Sequence, residues 1–116
     1  MITIIYVNYF TQNLIIDSIN SLILNCPLAI SSEIIISNNG GDLEKLKCKF
    51  PFVIIIENNN NLGFGKANNI AVKESSRDFI FLLNPDTIIM DNCLDKFISF
   101  YRKNSNKLNI GVLGGE

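Results

Sequence analysis

The chain has 116 residues, a net charge of −1 and 47% hydrophobic residues, enough for one domain with one core and too apolar for disorder. It contains no His, which excludes a His general base, a His metal ligand and a Ser-His-Asp triad. Its three Cys (Cys26, Cys48, Cys93) lack CxxC spacing, which excludes a zinc knuckle and argues against a disulfide framework.

The chain opens into an apolar, β-branched run, Ile2 to Val7, of the kind buried on both faces of a parallel sheet. Asn8-Tyr9-Phe10 ends it. Thr11 can cap a helix whose Leu14, Ile15, Ile19, Leu22 and Ile23 make one apolar face. Pro27 then biases Cys26 away from helical geometry. A second strand pattern, Glu33 to Ser37, runs into the loop Asn38-Asn39-Gly40-Gly41, and Asp42 can cap a short helix through about Lys47. The third strand pattern is Phe52 to Glu57. Four consecutive Asn follow, 58 to 61, and then Gly63-Phe64-Gly65. A helix from about Lys66 to Glu74 turns Ala67, Ile70 and Ala71 inward. Phe79 to Leu83 is the fourth strand, stopped by Asn84-Pro85-Asp86. Asp91 caps a helix with Leu94, Phe97, Ile98 and Tyr101 on one face, and Ile110 to Leu113 reads as a fifth strand.

Strands alternating with helices predict a single α/β domain over 1–116: an open, mostly parallel sheet between two helical layers, with right-handed crossovers. No spanning or secretory segment stands out. A pI near 5.4 argues against a nucleic-acid module. Reduced thiols and the lack of a signal point to the cytoplasm.

Ligands in such sheets bind beyond the carboxyl ends of the strands, which directs attention to four loops: Asn8-Tyr9-Phe10, Asn38 to Asp42, Asn58 to Gly65, and Asn84 to Thr87. Many of the chain's 17 Asn lie there. An Asn side chain offers a donor pair and an acceptor, which suits the imide edge of uracil or thymine, and the Tyr9 ring could pack on a base. Asn is equally a turn residue. Asp86 emerges at a strand end, where one carboxylate can share a hard divalent cation with diphosphate oxygens and water; the alternative is an Asp turn fixed by Pro85. Gly63-Phe64-Gly65 at a helix start lets a backbone approach an anion, with Lys66 either reaching a phosphate or simply exposed. The spacing is neither GxGxxG nor a Walker loop. The Cys residues read as structural: Cys93 falls in a helix's first turn, where a thiol pKa can drop, but no partner base is visible.

Taken together, four stretches resemble the N-terminal, nucleotide-binding half of family 2 glycosyltransferases of the GT-A fold, and most closely their rhamnosyltransferase-like branch. They are Val7-Asn8-Tyr9, Ile34 to Asn39 with its following Gly, Asn61-Leu62-Gly63-Phe64-Gly65 with Asn68-Asn69, and Leu82-Leu83-Asn84-Pro85-Asp86-Thr87. The resemblance implies that Val7 and Tyr9 lie along the nucleobase and that Asn38 stands where the family has an Asp bonding pyrimidine or ribose. It places Asn68 and Asn69 near the nucleotide. It puts Asn84 and Asp86 at the first and last places of an Asp-x-Asp motif, with Asp86 binding Mg or Mn. Gly65 and Lys66 are the expected diphosphate contacts. Asn38 and Asn84 each replace an acid, and Ala67 replaces a Gly. Members of the family are commonly far longer. Their second half carries the acceptor pocket and an acidic catalytic base, so no catalytic residue is expected within this chain.

The implied reaction is transfer of a sugar from a nucleotide sugar, such as dTDP-rhamnose or a UDP-sugar, to a glycan or lipid-linked hydroxyl, in polysaccharide or cell-envelope synthesis. The expected place is the cytoplasm, or the inner face of the bacterial membrane as a peripheral protein. A chain without the second half is expected to expose a strand edge and apolar surface, and so to form a homodimer or aggregate. The competing reading is a non-catalytic nucleotide-binding or protein-interaction module that keeps the fold. A receiver-like domain would need acids after the first strand, and a sugar nucleotidyltransferase a basic Gly-rich signature near the start; neither is present.

Overall fold

In a computed structural model, residues 2–26, 32–76, 78–90 and 93–104 are described. They form β1 (Ile2–Tyr9), α1 (Gln12–Asn25), β2 (Glu33–Gly40), α2 (Glu44–Lys49), β3 (Ile54–Glu57), α3 (Phe64–Glu74), β4 (Phe79–Leu83) and α4 (Cys93–Asn104). The strands make one sheet in the order β3-β2-β1-β4, every pairing parallel. β1 lies inside the sheet, with Ile4 opposite Ile34 of β2 on one side and Phe81 of β4 on the other.

Side chains alternate across a strand, and that period divides the core. Ile2, Ile4 and Tyr6 of β1, with Ile34 and Ile36 of β2, pack with Ile15, Ile19 and Leu22 of α1, Leu46 of α2, and Leu94 and Ile98 of α4. The intervening residues Ile5 and Ile35 face the other way, where Ala71 of α3 covers them. Helices therefore stand on both faces, as the alternation predicts, but unequally among the described residues: three on one face and α3 alone on the other. Small Ala67 and Ala71, both fully buried, let α3 sit close to β1 and β2. Ile80 and Leu82 of β4 and Ile54 of β3 lie beyond its reach and are exposed.

The inward face of α1 differs from the expectation. Ile15, Ile16, Ser18, Ile19, Ser21 and Leu22 are buried, whereas Leu14 and Ile23 are exposed. The cause is Tyr6. Its hydroxyl, buried by the apolar face, needs a partner, and it hydrogen-bonds Ser18 Oγ at 2.6 Å. An inward Ser18 shifts the buried stripe away from Ile23, whereas Leu14, one turn before Ser18 on the same side, is exposed in the helix's first turn. Nor does the Thr11 side chain cap α1: its backbone N and Oγ1 both donate to Asn8 Oδ1, at 3.0 and 2.9 Å. Asp42, as expected, accepts from Glu44 N at the start of α2, at 2.9 Å.

Two segments expected as loops are strand. Asn8 and Tyr9 end β1, and Asn38, Asn39 and Gly40 end β2. Their amides bond across the sheet, so polar residues extend strands that hydrophobicity alone would stop. The third strand begins at Ile54 rather than Phe52. The expected Asp91 cap and the strand at Ile110 to Leu113 lie outside the described residues. Among the described residues no helix is long and apolar enough to cross a membrane.

Candidate functional site

Parallel strands put all four carboxyl ends at one edge of the sheet, so Tyr9, Asn38, Glu57 and the segment after Leu83 share that edge. The β1–α1 junction is built on glycine. Phe10 has a left-handed φ of 56°, costly for a bulky residue, and its N–H donates to Gly40 O at 3.0 Å. The Tyr9 and Phe10 rings meet edge to face, centroids 4.8 Å apart. Both are exposed. They rest on Gly40 and Gly41: a Cβ at Gly40 would lie 3.1 Å from the Tyr9 ring, and one at Gly41 3.1 Å from the Phe10 ring.

Beneath this turn runs a row of amides. Asn8 Nδ2 donates to Asn38 Oδ1 at 2.8 Å and to Gly40 O at 3.0 Å. Asn38 Oδ1 also accepts from Gly40 N at 3.1 Å, while its Nδ2 donates to Gly41 O at 3.0 Å and to Glu57 Oε1 at 2.8 Å. Both donors and both acceptor sites of each amide are thus engaged. Asn38, expected to read a base, is buried and committed to the protein's own structure.

A second polar group holds the Asn-rich β3–α3 loop. Asn58 Nδ2 donates to Ser37 Oγ at 2.9 Å and to Asn39 Oδ1 at 3.0 Å. Asn39 Nδ2 reaches Gly63 O at 3.2 Å, and Asn61 Oδ1 accepts from Gly63 N at 3.1 Å. Gly63 has φ 83° and ψ 169°, a region essentially restricted to glycine. Thus Asn58 and Asn61 are scaffold.

The free groups lie on α3 and after β4. Gly65 and Lys66, in the first turn of α3, are exposed, and a Cβ at Gly65 would meet nothing within 4 Å. No packing constraint among the described residues accounts for that glycine. Asn68 is only 6% exposed, yet its side-chain amide makes no hydrogen bond among the described residues, whereas Asn69 is exposed. After β4, Thr87 N donates to Asn84 O at 3.0 Å, closing a turn that leaves Asn84 and Asp86 exposed. This turn is anchored from behind. Ile89 N donates to Ser21 Oγ at 2.8 Å and Ile89 O accepts from Asn25 Nδ2 at 3.0 Å, with the Ile89 side chain in the core.

Among the described residues no group of three or more His, Cys, Asp and Glu could hold a metal. Asp86 therefore offers one carboxylate, a donor set that fits a cation shared with a diphosphate and not an all-protein cage. Of the residues singled out in the sequence, Tyr9, Gly65, Lys66, Asn68, Asn69, Asn84 and Asp86 keep free groups or open space, Val7 is buried beneath the edge, and Asn38 is engaged. Sequence reasoning missed Glu57 and the structural amides Asn8, Asn39 and Asn58. Polar residues ending adjacent strands were the available signal.

The model of the family described as glycosyl transferase family 2 matches residues 2–115. No curated protein sequence matches the chain. Among solved structures, the chain is similar to S. aureus TarS 1-349, with a TM-score of 0.78 and 19% identity over 90% of this chain and 33% of that one. It is likewise similar to TarS 1-349 in complex with UDP, with a TM-score of 0.77 and 18% identity over 90% of this chain and 32% of that one. The complex with UDP-GlcNAc gives a TM-score of 0.77 and 19% identity, with the same coverage. The chain spans about a third of the length of these structures, and at such identities the likeness is one of fold, the GT-A arrangement of a parallel sheet between helices.

Proposed function

The chain belongs to glycosyl transferase family 2, and from that premise we propose that it forms the nucleotide-sugar-binding part of an enzyme moving a sugar from a nucleoside diphosphate to a hydroxyl. One observation carries this reading: the side-chain amide of Asn68, near the start of α3, makes no hydrogen bond among the described residues and is reached by solvent, so it is free to bond a ligand. In this reading the Tyr9 ring packs on the base above Val7, and Asn68, Asn69 and Asn84 bond the nucleoside. The open backbone at Gly65, with Lys66, faces the diphosphate, because glycine and a helix start together admit an anion. Asp86, with Asn84 beside it, would hold Mg or Mn, which supplies charge neutralisation at a departing diphosphate.

Uridine and thymidine diphosphates present the same imide edge, and either suits this site. UDP and UDP-GlcNAc bound by TarS support a UDP-sugar. The Asn84-Pro85-Asp86-Thr87 stretch supports the rhamnosyltransferase-like branch and dTDP-rhamnose. The acceptor is a glycan or lipid-linked hydroxyl, met in the cytoplasm or at the inner membrane face.

Calorimetric titration of UDP and dTDP, with and without Mn, tests the proposal. Binding is expected to require the metal and to be lost in Asp86→Ala. The engagement of Asn38 favours a second reading, a module that keeps the fold without nucleotide chemistry. Binding that is absent in every condition would establish that one instead.

A further inference from the structure

The row Glu57–Asn38–Asn8–Thr11 crosses three strands, and only one orientation of its two amides satisfies it. An ionised carboxylate only accepts hydrogen bonds, and a backbone N–H only donates. Facing Glu57, Asn38 must present Nδ2, as it does at 2.8 Å. Its Oδ1 then faces β1, so Asn8 must present Nδ2, again at 2.8 Å. Asn8 Oδ1 is left for Thr11 N and Oγ1, the first groups of the turn that follows Tyr9 and Phe10. The same two amides hold Gly40 N, Gly40 O and Gly41 O, the glycines on which both rings rest. Glu57 is the only charged member of the row and the only exposed one; its bond is charge-assisted and polarises those beyond it.

We propose that Glu57 is a positioning residue of the nucleotide site: through Asn38 and Asn8 it fixes the turn that presents Tyr9. The proposal rests on the donor-binding reading given above. Three chains test it: unsubstituted, Glu57→Gln and Glu57→Lys. Gln keeps an acceptor for Asn38, whereas Lys offers donors alone. In the Lys variant the side-chain amide protons of both Asn38 and Asn8, followed by NMR, are expected to exchange at least about tenfold faster, and UDP with Mn to bind roughly tenfold more weakly. In the Gln variant both quantities are expected to stay within about twofold of the unsubstituted chain. Lys adds positive charge near an anionic nucleotide, so charge alone would tighten binding, and a fall in affinity reports geometry. Unchanged Asn8 exchange in Glu57→Lys, or a Gln variant as impaired as the Lys one, would overturn the positioning role. Absence of UDP binding by the unsubstituted chain would overturn the donor-site reading instead, and the amide exchange would still decide whether Glu57 orders the row.

Discussion

Gly41 and Gly65 stand at the same edge of the sheet for opposite reasons. Gly41 has φ 101°, and a Cβ there would press on the Phe10 ring and backbone at 3.1–3.2 Å. Gly41→Ala is therefore expected to destabilise the fold by about 1–3 kcal/mol, read as a lower urea midpoint. Gly65 is helical with open space around it. Gly65→Ala should leave stability unchanged or raise it by up to about 1 kcal/mol, the helix preference of Ala over Gly. If a diphosphate approaches that backbone, the same substitution weakens nucleotide binding. Loss of affinity without loss of stability would mark Gly65 as a contact; loss of both would mark it as structure.

At the scale of elements, one hydroxyl pair sets how α1 meets β1. Burial pushes the Tyr6 hydroxyl above its ordinary value of 10.0, and the Ser18 hydrogen bond offsets this only in part. The folded chain keeps Tyr6 neutral where the unfolded chain ionises it. This contribution to stability is complete below pH 10 and falls as pH rises above it, by about 1.4 kcal/mol per pH unit. Urea midpoints measured from pH 8 to pH 11 are expected to decline, and Tyr6→Phe to flatten the decline. The same pair shows what the sequence could and could not convey. Runs such as Ile34-Ile35-Ile36 and the 3.6-residue spacing in α1 and α3 made the order and type of all described elements legible. The burial of Ser18 was not, because it depends on a contact between residues 12 apart. At the site, the Asn-rich strand ends were legible as a polar cluster, but whether each amide is free or engaged depends on partners 19 to 32 residues away. The exposed place of Asp86 near a strand end was legible because Asn84-Pro85 breaks an apolar run just before it. Glu57 was not, because its role depends on Asn38 in another strand.

At the scale of the whole molecule, the two faces of the sheet are unequally clothed. Among the described residues α3 alone covers one of them, and Leu82 of β4 is 52% exposed beside Ile80. Among the described residues nothing pairs with the outer edges of β3 and β4. Exposed apolar strands with open edges invite association. Sedimentation velocity of this chain is expected to show concentration-dependent dimers or larger species, and Leu82→Lys to shift them toward monomer. A single monomer boundary at all concentrations, in both proteins, would count against this face as sticky.

The central position of β1 also has a consequence for how the protein is made. β1 is made before the other described strands, yet one of its two neighbours is β4, and Ile2 must wait for Phe79. At translation rates of about 5–20 residues per second, several seconds pass in which this strand, buried over most of its length, is paired on one side at most. Such distant pairings fold slowly. The sheet edge that brings Tyr9, Asn38 and the segment of Asp86 together cannot form before the last of them is synthesised, and until then β1 is a natural client for chaperones that bind extended hydrophobic strands.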